Sequence, residues 1–335
     1  MKMTIKTCLE NTLLSPGKLW LKHAVLVLTA AQLVACEAPL DLDQVTLEGT
    51  NAVRRYDMFQ GAAASPERVV VVSSVGAALV SNDNGENWER HELPGRPSLI
   101  DVTVCDNGKF FALDSQHRIW HLLAASGEWA FSTIDTAENT LSIECAPGDR
   151  LWVSASFSTL FSRDLASQEW REFSLNEDLQ FTSVHFVDSL KGFAVGEFGT
   201  VMTTTDGGET WSRLKALPNE FYPMAADFLD AHTGWIGGLD GVIWQTSDGG
   251  LSWQRQESLN ASPVYNISAS ADGVYAAGGS GKLVELLEGK WQRVADAPKV
   301  LNFIRALSAL HNGAVLVAGG GGTLAMIPAD RAGSR

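Results

Sequence analysis

Residues 192–211 read Gly192-Phe193-Ala194-Val195-Gly196-Glu197-Phe198-Gly199-Thr200-Val201-Met202-Thr203-Thr204-Thr205-Asp206-Gly207-Gly208-Glu209-Thr210-Trp211. Two short apolar runs flank a G-x-x-G turn and alternate with period two, and no helical pattern follows the glycines, so the stretch is a strand, a tight turn and a strand rather than a phosphate-binding loop. The arrangement recurs. Trp88, Trp129, Trp170, Trp211, Trp253 and Trp291 are separated by 41, 41, 41, 42 and 38 residues. A turn series about a dozen residues ahead of them, Gly76, His117, Ser158, Gly199, Gly241, Gly281 and Gly322, is separated by 41, 41, 41, 42, 40 and 41.

Seven units of about 41 residues, each with room for four short strands, have the size of propeller blades. The expected fold is therefore all-β: a seven-bladed β-propeller of four-stranded antiparallel blades. For the unit at 183–214 the strands are expected at Ser183–Asp188, Gly192–Gly196, Thr200–Thr205 and Thr210–Leu214. The seventh unit, 301–327, runs out after three strands. Leu42-Asp43-Gln44-Val45-Thr46-Leu47 is the candidate N-terminal strand to complete it and close the ring, which removes open sheet edges. Arg90, Arg213, Arg255 and Arg293 each follow a repeat Trp by two residues and are expected to protect outermost edges as solvated charge.

Ahead of the repeats, Lys2, Lys6, Lys18 and Lys22 precede a 12-residue apolar run, Ala24 to Ala35, ending Leu33-Val34-Ala35-Cys36. This is a signal peptide with a lipobox, and its run reaches only ~18 Å as a helix against the ~30 Å of a bilayer core. The expected organisation is a signal peptide at 1–35, a lipidated tether at 36–41 starting at Cys36, a propeller at 42–328 and a tail at 329–335. Glu37 rather than Asp after the lipidated residue favours the outer membrane, on the periplasmic side.

The 335 residues are 45% hydrophobic and 19% charged, the balance of a folded soluble domain. Lys and Arg number 25 against 39 acids, a formal charge of -14; without residues 1–35 the counts are 21 and 38, a charge of -17. Such acidity repels polyanions, so no nucleic-acid partner is expected. Of the four cysteines, Cys105 and Cys145 would remain free of signal peptide and lipid in an oxidising compartment. They lie 40 residues apart, at similar places on adjacent units, where backbones commonly diverge beyond the ~7 Å limit for a disulfide. Two buried free thiols are the favoured expectation, with a disulfide as the alternative.

Three units carry S/T-x-D-x-G-x-x-W, with Ser81, Asp83, Gly85 and Trp88; Thr204, Asp206, Gly208 and Trp211; and Thr246, Asp248, Gly250 and Trp253. These are Asp-boxes of the bacterial neuraminidase type. The Asp accepts turn amides, the Gly permits a positive φ and the Trp packs between sheets. Their role is structural, and no metal or cofactor is expected. Degenerate copies stand at Ser162-Arg163-Asp164 and Ser126-Gly127-Glu128-Trp129.

The lipobox, the seven units and the block running from Gly192 into Thr205-Asp206-Gly207-Gly208-Glu209-Thr210-Trp211 together resemble the photosystem II assembly and stability factor family of cyanobacteria and chloroplasts. The resemblance covers about 50–328 and is best over 183–255. It implies a seven-bladed propeller that binds membrane-protein intermediates at the lumenal or periplasmic face without enzymatic turnover. Photosynthetic members are associated with an arginine-rich patch on one face, and this chain has no comparable inner-strand arginine series.

The expected function is that of a monomeric, membrane-anchored scaffold assisting assembly of a membrane-protein complex, photosystem II being the family's client. Candidate contact residues at the propeller mouth are Arg54, Arg55, Tyr56, His185, Tyr222, Asp227, Tyr265 and Arg305, which mix aromatic and charged character near inner-strand starts. A sialidase-like glycan-binding or glycoside-hydrolysing protein is one alternative. It needs three convergent arginines, a Tyr nucleophile supported by Glu and an Asp acid, and no such set is evident among Tyr56, Tyr222, Tyr265 and Tyr275 and their surroundings. An outer-membrane assembly accessory propeller is the other. No catalytic residue is assigned.

Overall fold

The period-two segments become seven antiparallel meanders in the computed structural model, which describes residues 50–123, 128–218, 220–295 and 297–329. Their first strands are Phe59–Ala64, Leu99–Val104, Thr140–Ala146, Phe181–Phe186, Pro223–Phe228, Val264–Ser270 and Ile304–Ala309. Each packs beside the first strand of the next meander, and that of the seventh beside that of the first, so these are the inner strands of a closed seven-bladed ring. Met58 forms a further antiparallel bridge with Gly320 across the closing seam.

Blades 1 to 6 have four strands; blade 7 has three among the described residues, Ile304–Ala309, Val315–Gly319 and Leu324–Ile327. The expected signal peptide at 1–35, Cys36, the tether at 36–41 and the closing strand at 42–47 lie outside the described residues, as does the tail beyond Ala329. No helix among the described residues is long and apolar enough to cross a membrane.

The sequence of each strand follows its radial position. Second strands such as Val69–Ser73, Phe110–Asp114, Gly192–Gly196 and Val315–Gly319 are buried at every residue. Both faces of a blade pack on neighbouring blades, so apolar residues run without alternation there. Outer strands such as Glu89–Glu92 and Ser212–Arg213 are polar and largely exposed. Each blade interface holds its own apolar cluster. Between blades 3 and 4 it is built on Trp152, Phe181, Phe186, Met202 and Trp211, and between blades 7 and 1 on Phe59, Val71, Leu79, Ala306 and Leu316. In blade 4 the inner strand starts at Phe181 rather than Ser183, because Phe181 is fully buried against Gly196 and a bulge follows it.

The Asp-boxes act as the motif requires. Thr204 Oγ1 donates to Asp206 Oδ1 at 2.8 Å and accepts the Gly208 N–H at 2.9 Å, while Asp206 takes both the N–H and the hydroxyl of Thr210. Those donors, the Thr210 hydroxyl first, hold the Asp206 carboxyl down at about 2. Gly208 has φ +84°, and a Cβ there would lie 2.1 Å from Cη2 of Trp152 in the preceding blade, so a side chain is excluded twice over. Asp83 and Asp248 repeat the turn.

Two expectations are corrected. Cys105 and Cys145 form a disulfide with Cα atoms 5.2 Å apart, not two free thiols. Inner strands converge on the ring axis, so positions about one repeat apart become neighbours: Cys145 N–H donates to Thr103 Oγ1 at 2.9 Å and Ile143 N–H to Asp101 Oδ2 at 2.9 Å. Nor is Arg90 a solvated edge charge. Its side chain is 7% exposed and paired with the fully buried Asp57, and it also donates to the Ala52 carbonyl, strapping the segment before blade 1 onto that blade's outer strand. Arg255, paired among the described residues with exposed Glu257 alone, fits the expectation.

Candidate functional site

In each meander the inner strand starts on one face of the ring, and the turn between the second and third strands returns to the same face. Hydrogen bonds join the two sets of loops there: Gly199 N–H to Phe221 O at 2.6 Å and Leu239 N–H to Tyr222 O at 3.1 Å. The second residue of every inner strand points into the axial opening on this face. Gln60, Ile100, Leu141, Thr182, Met224, Tyr265 and Arg305 line one cavity of about 110 Å³ together with Asp101, Ser142, Ser183 and Asn266. Arg305 is the only arginine of the seven inner strands, as expected from the absence of an arginine series. Its guanidinium lies 5.8 Å from the Tyr265 ring, which itself meets Phe303 edge-on at 6.5 Å.

Of the sequence candidates, Tyr265 and Arg305 therefore share the mouth cavity. Arg54 and Tyr56 form a separate group by the closing seam: the guanidinium donates to the Tyr56 hydroxyl at 2.8 Å and to Glu92 at 2.8 Å, and Tyr56 is 52% exposed. Arg55 is exposed beside them. Tyr222 stands apart, on the loop entering blade 5, with its hydroxyl pKa raised by burial and by Glu197.

His185 and Asp227 lie deeper, at the fifth position of their inner strands. His185 Nδ1 is 3.4 Å from Glu144 Oε1, and Nε2 is 3.3 Å from Asp227 Oδ1 and 3.2 Å from the Phe228 carbonyl. Burial alone would depress the imidazole; the Asp227 charge and the Glu144 contacts outweigh it and lift the pKa to about 9, so the ring is a cation bridging blades 3, 4 and 5. Asp227 Oδ2 in turn accepts Ala269 N–H in blade 6 at 2.7 Å. Burial pushes Asp101 up to about 7 against the pull of the Ile143 and Val102 amides. Through these contacts His185 ties blades 3, 4 and 5 together.

Among the described residues the one grouping with metal-ligand spacing is Cys105, Cys145 and Asp149, and its two sulfurs are joined to each other.

Gln60, Ile100, Leu141, Thr182 and Met224 do not stand out by residue type, although they stand 40 to 42 residues apart in the same register as Tyr265 and Arg305. Stepping the repeat back from Arg305 finds all of them. Nor do Phe157 and Phe198 stand out in the sequence, although they occupy the same position of the mouth-face turn in blades 3 and 4. Their rings are 43% and 57% exposed, at φ +53° and +58°. A left-handed backbone costs a bulky L-residue about 1–2 kcal/mol, which a glycine avoids.

The family model described as photosynthesis system II assembly factor YCF48 matches residues 162–269, from the third strand of blade 3 to the inner strand of blade 6. The photosystem II assembly lipoprotein Ycf48 of Picosynechococcus sp. is 36% identical over 171 residues, 48% of this chain and 50% of the relative. The photosystem II assembly protein Ycf48 of Synechococcus sp. is 23% identical over 162 residues, 47% and 48% of the two chains. The chain thus spans about half the length of these curated relatives. Among solved structures, YCF48 from Cyanidioschyzon merolae superposes with a TM-score of 0.67 at 14% identity over 82% of this chain and 96% of that one. YCF48 bound to D1 peptide gives 0.67 at 15% over 83% and 94%. A virginiamycin B lyase from Staphylococcus aureus gives 0.65 at 11% over 78% and 92%, so the ring itself is shared with an enzyme. The likeness to these structures is one of fold, while the sequence resemblance to the photosystem II assembly factor family rests on the matched segment.

Proposed function

We propose that this chain is a non-enzymatic binding protein, tethered by lipid on Cys36 to the periplasmic or lumenal side of a membrane, that holds an assembly intermediate of a membrane-protein complex. The observation that carries the reading is the convergence of one inner-strand side chain from each of seven blades on a polar mouth, with Arg305 stacked against Tyr265. Such a mouth offers a fixed constellation of hydrogen-bonding and aromatic groups to a polypeptide, without an activated nucleophile. The family match over 162–269 and the names of the relatives as photosystem II assembly proteins supply the client class. A solved relative carries a D1 peptide, which makes a photosystem II subunit the first client to try. The lipoprotein names of two relatives support the anchor at Cys36 and the division into signal peptide, tether and ring. They lend no support to the outer membrane over the inner.

The test is affinity capture with the native chain from gently solubilised membranes, against a Cys36→Ser control. A specific membrane-protein complex held by the anchored form is the expected result. Retention of no protein, with turnover of sialosides or binding to a glycan array, would replace the scaffold reading with the glycan alternative.

A further inference from the structure

Three consecutive turns of the mouth face, in blades 3, 4 and 5, each present an exposed apolar side chain: Phe157, Phe198 and Leu239, at 43%, 57% and 49%. Among the described residues neither phenylalanine ring stacks on another ring, and both sit at positive φ, where blade 6 has Ser280 at φ +55°. An exposed acid lies near each turn along the chain or across its backbone hydrogen bonds: Ser158 N–H, one residue after Phe157, donates to Leu179 O, one residue after Asp178; Gly199 N–H, one residue after Phe198, donates to Phe221 O, one residue after Glu220; Asp240 follows Leu239 directly. Asp178 and Glu220 have no salt-bridge partner among the described residues.

We infer that Phe157, Phe198 and Leu239, each with its acidic neighbour, form a docking surface for a segment of a partner polypeptide in which lysines or arginines are interleaved with apolar side chains. The inference deepens the binding reading above and rests on it for the partner being a protein. Charge complementarity selects the occupant. An isolated apolar arc would accept any greasy surface, but one acid per apolar residue penalises acidic segments and anionic lipid headgroups and rewards a basic one. The aromatic rings supply the contact area that anchors such a segment.

The test uses the full chain in detergent and three synthetic peptides, read by fluorescence anisotropy: lysine alternating with leucine and phenylalanine, the same with glutamate for lysine, and the same with serine for the apolar residues. The first is expected to bind and the other two not. Phe157→Ser with Phe198→Ser should weaken binding by about tenfold or more while leaving Tm unchanged or raised, since Ser280 shows that serine suits this turn. Asp178→Asn with Glu220→Gln should weaken it at low salt, the difference fading as salt rises. Equal binding of the glutamate peptide, or binding untouched by either double variant, overturns the inference. So does phenylalanine-dependent association with anionic vesicles, or phenylalanine-dependent self-association. Failure of the parent reading is separable. If the wild type captures no membrane complex yet binds the basic peptide in this way, the scaffold function falls and the surface stands; if it captures a complex equally with Phe157→Ser and Phe198→Ser, the surface falls and the function stands.

Discussion

His185 Nε2 lies 3.3 Å from Asp227 Oδ1 across the seam between blades 4 and 5, while its other nitrogen faces Glu144 in blade 3. The imidazole pKa of about 9 in the folded ring exceeds its ordinary 6.5, so the tie contributes fully below 6.5 and is lost as pH rises through 9. With the side chain 22% exposed, the contribution is about 2–3 kcal/mol. Asp101, raised to about 7 from 3.8, acts in the same direction at lower pH, because its burial favours the protonated form. Lys282, pushed down to about 8 by burial, acts oppositely above that value. Urea midpoints measured between pH 6.5 and 8 should therefore fall with pH in the wild type and fall much less in His185→Gln. Parallel slopes for the two proteins would show that His185 is not the charged bridge.

Arg90 and Arg255 occupy equivalent outer-strand positions and should respond very differently to removal. Arg90→Ala leaves the fully buried Asp57 carboxylate without its cation and should cost about 3–5 kcal/mol. Arg255→Ala breaks a pair whose side chains are 51% and 84% exposed, and should cost less than about 1 kcal/mol. Chemical unfolding of the two variants checks the contrast; comparable losses would contradict it.

The disulfide closes a loop across one blade seam. With its cysteines 40 positions apart in the chain, the chain-entropy relation puts its contribution near 4 kcal/mol. Reduction, or Cys105→Ser with Cys145→Ser, should lower Tm by several degrees, and reductant should have no further effect on the double variant. A wild type whose melting is indifferent to reductant would argue against the bond.

The ring was legible in the sequence because its cause is local and repeated. The Trp and Gly series mark positions that every blade must fill in the same way: Gly208 has to pass beneath Trp152, and Asp206 has to satisfy its own turn. The mouth was half legible. Tyr265 and Arg305 stood out by residue type, whereas Ile100, Leu141 and Met224 look like ordinary strand residues until the register places them around one axis. Tyr222 resembled them in type and sits elsewhere, beside Glu197.

Strand number, blade length, turn chemistry and the Asp-boxes follow from residues near one another in the chain, and reading them required only the period. The pairing of Cys105 with Cys145, the burial of Arg90 on Asp57 and the bridging of three blades by His185 join residues one or more repeats apart, or on opposite sides of a seam. Those contacts exist because seven inner strands converge on one axis. The spacing of neighbouring inner strands is set by how the blades close into a ring, a property of the whole assembly that no single 41-residue unit contains.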